Sequence, residues 1–328
     1  MEGKFRWGII GTGAIAKKFA KALQILPEAD LAAVGSRAAD TAKRFAKAFN
    51  IPHQHDSYDK LANDPDVDVV YIATPHPFHK ENTVLCLKAG KAVLCEKPFA
   101  VNASQAREMI TAAGEGKLFL MEAMWTRFLP IFVKVREWLA KKIIGDVQLL
   151  QADFGFRGDR NPKGRLLNPE LAGGALLDVG VYTVSLASMV FGRPPVRITS
   201  KAHLGSTGVD EQSEMLFGYE NGRSAELSCA IRTQTPQQAV IVGTEGVIKI
   251  HSPFWSATTA TISMEGKEDK TIKIPFECNG FEYQVREVMQ CLQTGKLESD
   301  IMTLDESLSI VKTMDEIRAQ WGLKYPIE

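Results

Sequence analysis

A glycine-rich hexapeptide, Gly11-Thr12-Gly13-Ala14-Ile15-Ala16, follows a short apolar run and opens a helical pattern. In such a G-x-G-x-x-A order Gly11 permits a tight turn and Gly13 lets the backbone approach a pyrophosphate. Ala16 then allows close helix–strand packing. The first N–H groups of a helix starting there can bind phosphate oxygens, so the pattern points to a dinucleotide held by Gly11, Thr12, Gly13, Ala14 and Ile15. The end of the next strand candidate reads Gly35-Ser36-Arg37, with no carboxylate to hold a free ribose 2′-hydroxyl. A guanidinium there can pair with a 2′-phosphate and Ser36 can donate to it, which favours NADP over NAD. The other reading of Arg37 is a solvated residue at a helix start. Two more segments, Thr74-Pro75-His76-Pro77-Phe78-His79 and Glu96-Lys97-Pro98, follow apolar runs, where ligands of open α/β sheets bind. Asp178 and Tyr182, four apart on a helical pattern, share a face and can converge on one pocket.

The elements that must position these residues come in two styles. Strand candidates at Phe5–Ile10, Leu31–Val34, Val67–Ala73, Ala92–Cys95 and Leu118–Glu122 alternate with helical patterns at Ile15–Leu26, Ala39–Phe49, His79–Lys88 and Ala103–Glu115. This alternation means βαβ units, and predicts a doubly wound parallel sheet of the Rossmann type over residues 1–124. After Trp125 a helix is expected at Leu129–Lys142. Strand-rich sequence follows: Asp146–Phe156, Val196–His203, Glu214–Tyr219, Ser224–Arg232, Ala239–Ile250, Thr259–Met264 and Lys270–Ile274, with turn signals such as Glu220-Asn221-Gly222 and Glu245-Gly246. Helices are expected at Asp178–Phe191, Phe281–Thr294 and Leu304–Trp321. Residues 125–328 thus read as an α+β substrate and oligomerisation domain on an open, mostly antiparallel sheet. Helices on one face of an open sheet leave its other face needing cover, and the apolar alternation in Ser224-Ala225-Glu226-Leu227-Ser228-Cys229-Ala230-Ile231 suits a sheet-to-sheet partner, so a homodimer through that sheet is expected.

Composition narrows the partners. The 328 residues exceed what one core usually holds, and 45% hydrophobic with 24% charged residues excludes a disordered or collagenous chain. Lys plus Arg and Asp plus Glu number 39 each, and this zero net charge gives no electrostatic reason to expect nucleic acid or an anionic membrane surface. The five scattered cysteines include no CxxC pair, which fits a reducing cytoplasm and no disulfide framework. The apolar stretch Leu171–Phe191 is interrupted by Asp178, so no membrane span is expected, and no signal-peptide core follows the N-terminus. His76 and His79 have an H-x-x-H spacing, but the prolines around His76 rule out a helical ligand pair and no metal site is expected. His76 reads better as lining a nicotinamide pocket, and His79 either as doing the same or as starting the next helix.

Taken together, the glycine loop, Glu96-Lys97-Pro98 and the stretch Gly173-Gly174-Ala175-Leu176-Leu177-Asp178-Val179-Gly180-Val181-Tyr182 resemble the Gfo/Idh/MocA oxidoreductases nearly end to end. Within that family the chain is most similar to the branch of dimeric dihydrodiol dehydrogenases and NADP-dependent D-xylose 1-dehydrogenases. That likeness runs through Ala92–Pro98, Met121–Phe128 and Ser188–Gly192. The resemblance implies that Lys97 contacts substrate oxygen and the nicotinamide ribose, that Lys97-Pro98 is often cis, and that Tyr182 stands where many members carry His. It also implies a sugar or cyclic diol as substrate, an aldopyranose or a trans-dihydrodiol.

Hydride transfer at a carbinol needs a proton donor or acceptor at its oxygen. A free phenol titrates near about 10, and a neighbouring ammonium favours the phenolate. Tyr182 is therefore the expected acid/base, Lys97 its electrostatic partner and Asp178 the orienting carboxylate; which group formally moves the proton stays open. Tyr182 could instead be a core tyrosine, Asp178 a helix N-cap and Lys97 a surface lysine. Trp125, Phe154, Arg157 and Phe281 could wall the substrate pocket, or simply be core and loop residues. Alternative functions are a reductase of sugar ketones or dicarbonyls, a sugar oxidoreductase with tightly bound cofactor, and an NADP-sensing module without turnover.

Overall fold

A computed structural model of the chain describes residues 4–328. Its contacts divide the described residues into two compact units: 4–128 with Glu277–Leu308, and Leu129–Phe276 with Ser309–Glu328.

In the first unit, β1 (Phe5–Ile10), α1 (Ala14–Gln24), β2 (Ala29–Gly35), α2 (Ala39–Phe49), β3 (His53–His55), α3 (Tyr58–Ala62), β4 (Val69–Ile72), α4 (His79–Lys88), β5 (Ala92–Glu96), α5 (Ala103–Gly116) and β6 (Leu120–Ala123) follow one another. The six strands lie in the order β3-β2-β1-β4-β5-β6, all parallel. Strands buried on both faces read as continuous apolar runs, which is why β1, β4 and β5 are plain in the sequence. The order reverses between β1 and β4, the place where open α/β sheets open a ligand crevice. Register aligns the strand ends: Ile10 pairs with Gly35 and Ile72, and Ile72 pairs with Cys95. The segments beginning at Gly11, Ser36, Ala73 and Glu96 therefore leave the sheet along one edge.

Trp7, Phe19 and Tyr71 are fully buried and pack α1 on the sheet, with Phe19 stacked on Tyr71 at 3.7 Å between ring centroids. The boundary expected at residue 124 differs from the contact division, because Glu277–Leu308 returns to this unit. There α8 (Glu282–Gln293) packs on α1, the Asn279 amide donates to the Lys18 carbonyl at 2.9 Å, and the Leu120 N–H donates to the Leu297 carbonyl at 3.0 Å.

The second unit holds α6 (Pro130–Ala140), β7 (Val147–Gly155), α7 (Val181–Phe191), β8 (Arg197–Leu204), β9 (Asp210–Gly218), β10 (Ser224–Ala230), β11 (Ala239–Gly243), β12 (Gly246–Ile250), β13 (Thr259–Met264) and β14 (Lys270–Lys273). The last helix, α9 (Leu304–Trp321), begins in the first unit and ends in the second. The expected strand Ala239–Ile250 is a hairpin turning at Thr244-Glu245. The sheet order is β14-β13-β12-β11-β7-β10-β9-β8, antiparallel except for β7 beside β10.

One face is covered by α7, and it takes the apolar half of the β10 alternation: Ala225, Leu227 and Cys229 are buried. Ser224, Glu226 and Ser228 point the other way, with Glu226 accepting from the Gln151 amide at 2.7 Å. The apolar residues of Ser224–Ile231 thus fill the unit's own core and do not supply the partner-facing surface expected of them. The Pro169–Phe191 stretch has the length and composition of a membrane span, but 83% of its apolar window is buried inside the fold, as in a core helix.

Candidate active site

Gly11 leaves β1 with φ at +104°, and a Cβ there would stand 2.7 Å from the Ala73 carbonyl oxygen, so the close approach of β4 requires glycine. Gly13 differs. It precedes the first residue of α1, and a Cβ added to it would meet nothing within 4 Å. No packing demand explains that glycine, and the open space lies beside N–H groups that have no partner within the helix. Gly13 and Ala14 are exposed, Thr12 and Ile15 partly so, and Ala16 is wholly buried against the sheet. The α1 first turn carries no acidic residue to oppose an anion. These residues fit a dinucleotide pyrophosphate.

Beyond β2, Ser36 is buried and its hydroxyl bonds that of Thr41, while its N–H donates to the His55 carbonyl at 3.0 Å. Arg37 is exposed, with its guanidinium 5.8 Å from the centroid of the Phe78 ring. Burial raises the Tyr58 phenol above its ordinary range, opposed by the charge of Arg37 and a hydrogen bond to it. Arg37 is thus exposed, with the Phe78 ring near its guanidinium and its charge felt at the Tyr58 phenol. Tyr58 belongs to no spacing that marks it, and Phe78 is marked only as part of the Thr74–His79 segment.

Past β4, Thr74 is buried and accepts from the Asn82 amide at 3.2 Å, and His76 is partly exposed. His79 is wholly buried. Its Nδ1 lies 2.8 Å from the Pro98 carbonyl oxygen and its Nε2 lies 2.9 Å from that of Thr74. Burial pushes its pKa down to about 4, against the two carbonyl contacts. The neutral ring has one N–H, which donates to one of these two main-chain oxygens, so His79 lies buried between the segments after β4 and β5, and the cofactor contact considered for it is not open to its ring.

The peptide bond between Lys97 and Pro98 is cis. Glu96, also expected on the cofactor side, is buried instead and accepts a hydrogen bond from the Tyr71 phenol. Burial pushes its pKa up to about 7, and the positive charge of Lys97, the Tyr71 hydrogen bond and the charge of Lys18 hold it from going further. Lys97 itself is partly exposed at this strand end.

The aromatic residues expected to wall a substrate lie in both units. In the first, Trp125 stacks on Phe281 with 4.8 Å between ring centroids, both buried, and the Lys18 ammonium lies 4.9 Å and 5.1 Å from their centroids. Burial lowers the Lys18 pKa, partly offset by Glu96. Lys18 is a candidate that the sequence hides, since its place on α1 looks like that of any helix lysine. In the second unit Phe154, at the end of β7, stacks on Trp255 at 4.8 Å with ring planes 3° apart. Tyr182 lies against both, at 5.4 Å from Phe154 and 6.2 Å from Trp255. Trp255 sits in a short turn after Pro253 and has no periodic signal in the sequence. Arg157 is exposed in the loop after β7.

Tyr182 belongs to α7, and Asp178 to a π-helical turn, Leu176–Gly180, that leads into it. Asp178 is therefore inside the helical start rather than capping it. Its carboxylate, 6% exposed, accepts from the Arg165 guanidinium at 2.7 Å, an ion pair unmarked in the sequence. A second carboxylate steadies the turn: Asp210 at the start of β9 is buried and accepts the Leu176 N–H at 2.7 Å. Burial pushes its pKa up to about 7, opposed by that hydrogen bond. Gly174 has φ at +123°, and a Cβ there would lie 2.1 Å from Asp210 Oδ1, so glycine lets the carboxylate reach the helix start. The pair Gly173-Gly174 is thus explained by packing around the Asp178–Tyr182 helix.

Comparison with known proteins gives a consistent likeness. A family model described as "Oxidoreductase family, NAD-binding Rossmann fold" matches residues 5–124, and one described as "GFO/IDH/MocA C-terminal domain" matches residues 132–249. The chain is 42% identical over 332 residues to the trans-1,2-dihydrobenzene-1,2-diol dehydrogenase of Xenopus tropicalis, covering 98% of this chain and 99% of that one. Among solved structures, the aldose-aldose oxidoreductase of Caulobacter crescentus complexed with glycerol is similar in fold, with a TM-score of 0.88 at 24% identity over 98% of each chain. A 3-ketoreductase of Actinomadura kijaniata in complex with NADP and TDP-benzene matches with a TM-score of 0.85 at 26% identity, covering 97% of this chain and 98% of that one.

Proposed function

This chain belongs to the Gfo/Idh/MocA oxidoreductase family, and from that premise we propose that it is an NADP-dependent dehydrogenase or reductase acting on CH–OH groups of a sugar or cyclic diol. One observation carries the reading: the segments at Gly11, Ser36, Ala73 and Glu96 leave one edge of the sheet in register, with open space at Gly13 and an exposed Arg37 where an acidic residue would mark NAD. Residues 5–124 with the returning helix are the cofactor unit, and the remainder is the substrate and oligomerisation unit. The bound nicotinamide supplies or accepts the hydride. Gly11 to Ile15 hold the pyrophosphate, Ser36 and Arg37 the 2′-phosphate, and Thr74, His76 and the Lys97-Pro98 turn border the nicotinamide. Tyr182 takes the proton from the substrate hydroxyl, or returns it. Lys97 stabilises negative charge at that oxygen, and Asp178 orients the substrate. Phe154, Trp255 and Arg157 contribute an aromatic and hydrogen-bonding wall, and the Trp125–Phe281 pair under Lys18 a second one. The trans-dihydrodiol class is supported by the named relative, and reduction of a ketone with NADP by the ketoreductase likeness.

The test is a spectrophotometric screen at the reduced-nicotinamide band over aldoses, inositols, trans-dihydrodiols and dicarbonyls, run with NADP and with NAD. Turnover with NADP is expected in the diol or aldose panel. Arg37→Ala should weaken NADP binding by about 10-fold to 100-fold, the worth of one charge-assisted contact of about 1.5–3 kcal/mol, and leave NAD unchanged. Activity confined to NAD would overturn the cofactor assignment.

A cytoplasmic homodimer through the open sheet face completes the proposal. That face carries Gln151, Lys201, Glu214 and Glu226 around Leu216, which is 50% exposed. Light scattering behind size-exclusion chromatography should give twice the chain mass; a monomer throughout the micromolar range rejects it.

A further inference from the structure

On the edge strand β3, far along the chain from any residue assigned above to catalysis, His53 and His55 alternate onto one side of the strand, and α3 brings Asp64 back against them. His53 Nδ1 lies 2.7 Å and His55 Nε2 lies 2.8 Å from the same carboxylate oxygen, Asp64 Oδ2. We propose that His53, His55 and Asp64 form a binding site for a borderline divalent transition-metal ion, with Zn2+ as the ion they suit best.

The donor set is two imidazole nitrogens and one carboxylate oxygen, the N and O ligands that Zn2+ takes. The carboxylate is built for the task. Asp64 is 3% exposed, and its other oxygen, Oδ1, accepts the Asp66 N–H at 2.9 Å, which leaves Oδ2 as the atom offered. The Lys91 ammonium fixes the main chain on both sides by donating to the Asp64 carbonyl at 2.7 Å and the Val67 carbonyl at 2.8 Å. A further carboxylate stands nearby: Asp66 Oδ2 is 4.0 Å from His53 Nε2, the ring nitrogen that faces away from Asp64. Closing to hydrogen-bond distance would let it orient a metal-bound imidazole.

Three protein donors leave a fourth position toward the cleft lined by Asp59, Lys60 and Asn63, where water can complete a tetrahedron. The present spacing is that of two N–H···O bonds. With bonds of about 2.0–2.1 Å to the ion, tetrahedral donors stand about 3.3 Å apart, so entry widens each contact by roughly half an ångström. His53, 37% exposed, has the freedom to give this. Each ring that binds the ion carries its proton on the far nitrogen, which for His53 faces Asp66. Neither histidine was marked by sequence spacing, because the third ligand arrives only through the tertiary return of Asp64.

The test is titration of Zn2+ into the chelator-treated full chain by calorimetry, with Co2+ as a spectroscopic stand-in. One equivalent should bind saturably, and Co2+ should develop visible absorption that Zn2+ abolishes. His53→Gln and His55→Gln should each weaken binding by more than about 100-fold, and Asp66→Asn by about 10-fold, as outer partners do. Metal-free thermal melts of the variants check folding, and the Co2+ spectrum of the native chain reads the site without any substitution. The native chain failing to bind Zn2+ saturably overturns the proposal. So does unchanged affinity in both histidine variants, which would put the ion elsewhere, for instance on the exposed Cys278.

Discussion

Replacing Lys97 by methionine should lower kcat/KM by about 10²–10⁴-fold, the usual worth of a positioned proton-transfer or charge-stabilising group, while the Kd for NADP changes by only a few-fold. Methionine keeps the length and apolar stem of the lysine, so the partly exposed position is filled and the change is confined to charge. The variant also alters a neighbour. The Lys97 ammonium is the largest influence opposing the burial that lifts Glu96 to about 7. Without it the Glu96 carboxyl should hold its proton to higher pH. Between the ordinary glutamate range and about 7 the folded chain binds a proton at Glu96 that the unfolded chain has released, so stability falls as pH rises through that window. Lys97→Met should extend the fall to higher pH, which a series of thermal melts between pH 5 and about 9 can follow. Turnover equal to that of the native chain would remove Lys97 from the chemistry.

How much of this was legible beforehand depends on whether a feature is local. The run Phe5–Ile10 ending in Gly11 and Gly13 announces itself, because a buried parallel strand must be apolar and the loop after it must be glycine. By contrast β3 is three residues, His53-Gln54-His55, with no apolar run, and α3 spans five residues, too short for a helical period to register. The return of Glu277–Leu308 to the first unit leaves no trace in local pattern, since it is a matter of which core an amphipathic helix covers. The alternation of Ser224–Ile231 fixes that β10 has an apolar and a polar face but not what lies over each; α7 takes the apolar one.

Site residues divide along the same line. Gly11, Gly13 and Arg37 could be chosen from spacing next to a strand. The environments of His79 and Glu96 could not, because burial under neighbouring carbonyls and a distant phenol is a tertiary fact. Trp255, Arg165 and Asp210 emerged only with coordinates, each reaching the Asp178–Tyr182 helix from a separate stretch of chain.

Tyr182→Phe is the sharper test of the chemistry, because it deletes one oxygen and leaves the ring against Phe154 and Trp255. Substrate KM should stay within a few-fold, since the aromatic packing persists, and kcat should fall by about 10²–10⁴-fold. If the phenol is the group that exchanges the proton, the variant should also lose the limb of the pH–kcat profile that reports it, whereas Lys97→Met should shift that limb without erasing it. The double variant separates the two assignments further. Groups acting as one unit are not additive, so Lys97→Met with Tyr182→Phe should be little slower than the worse single variant. Losses that multiply would mean that lysine and tyrosine act at separate points of the reaction. A Tyr182→Phe enzyme with native kcat would return the phenol to a packing role and leave the proton to be moved by Lys97 alone.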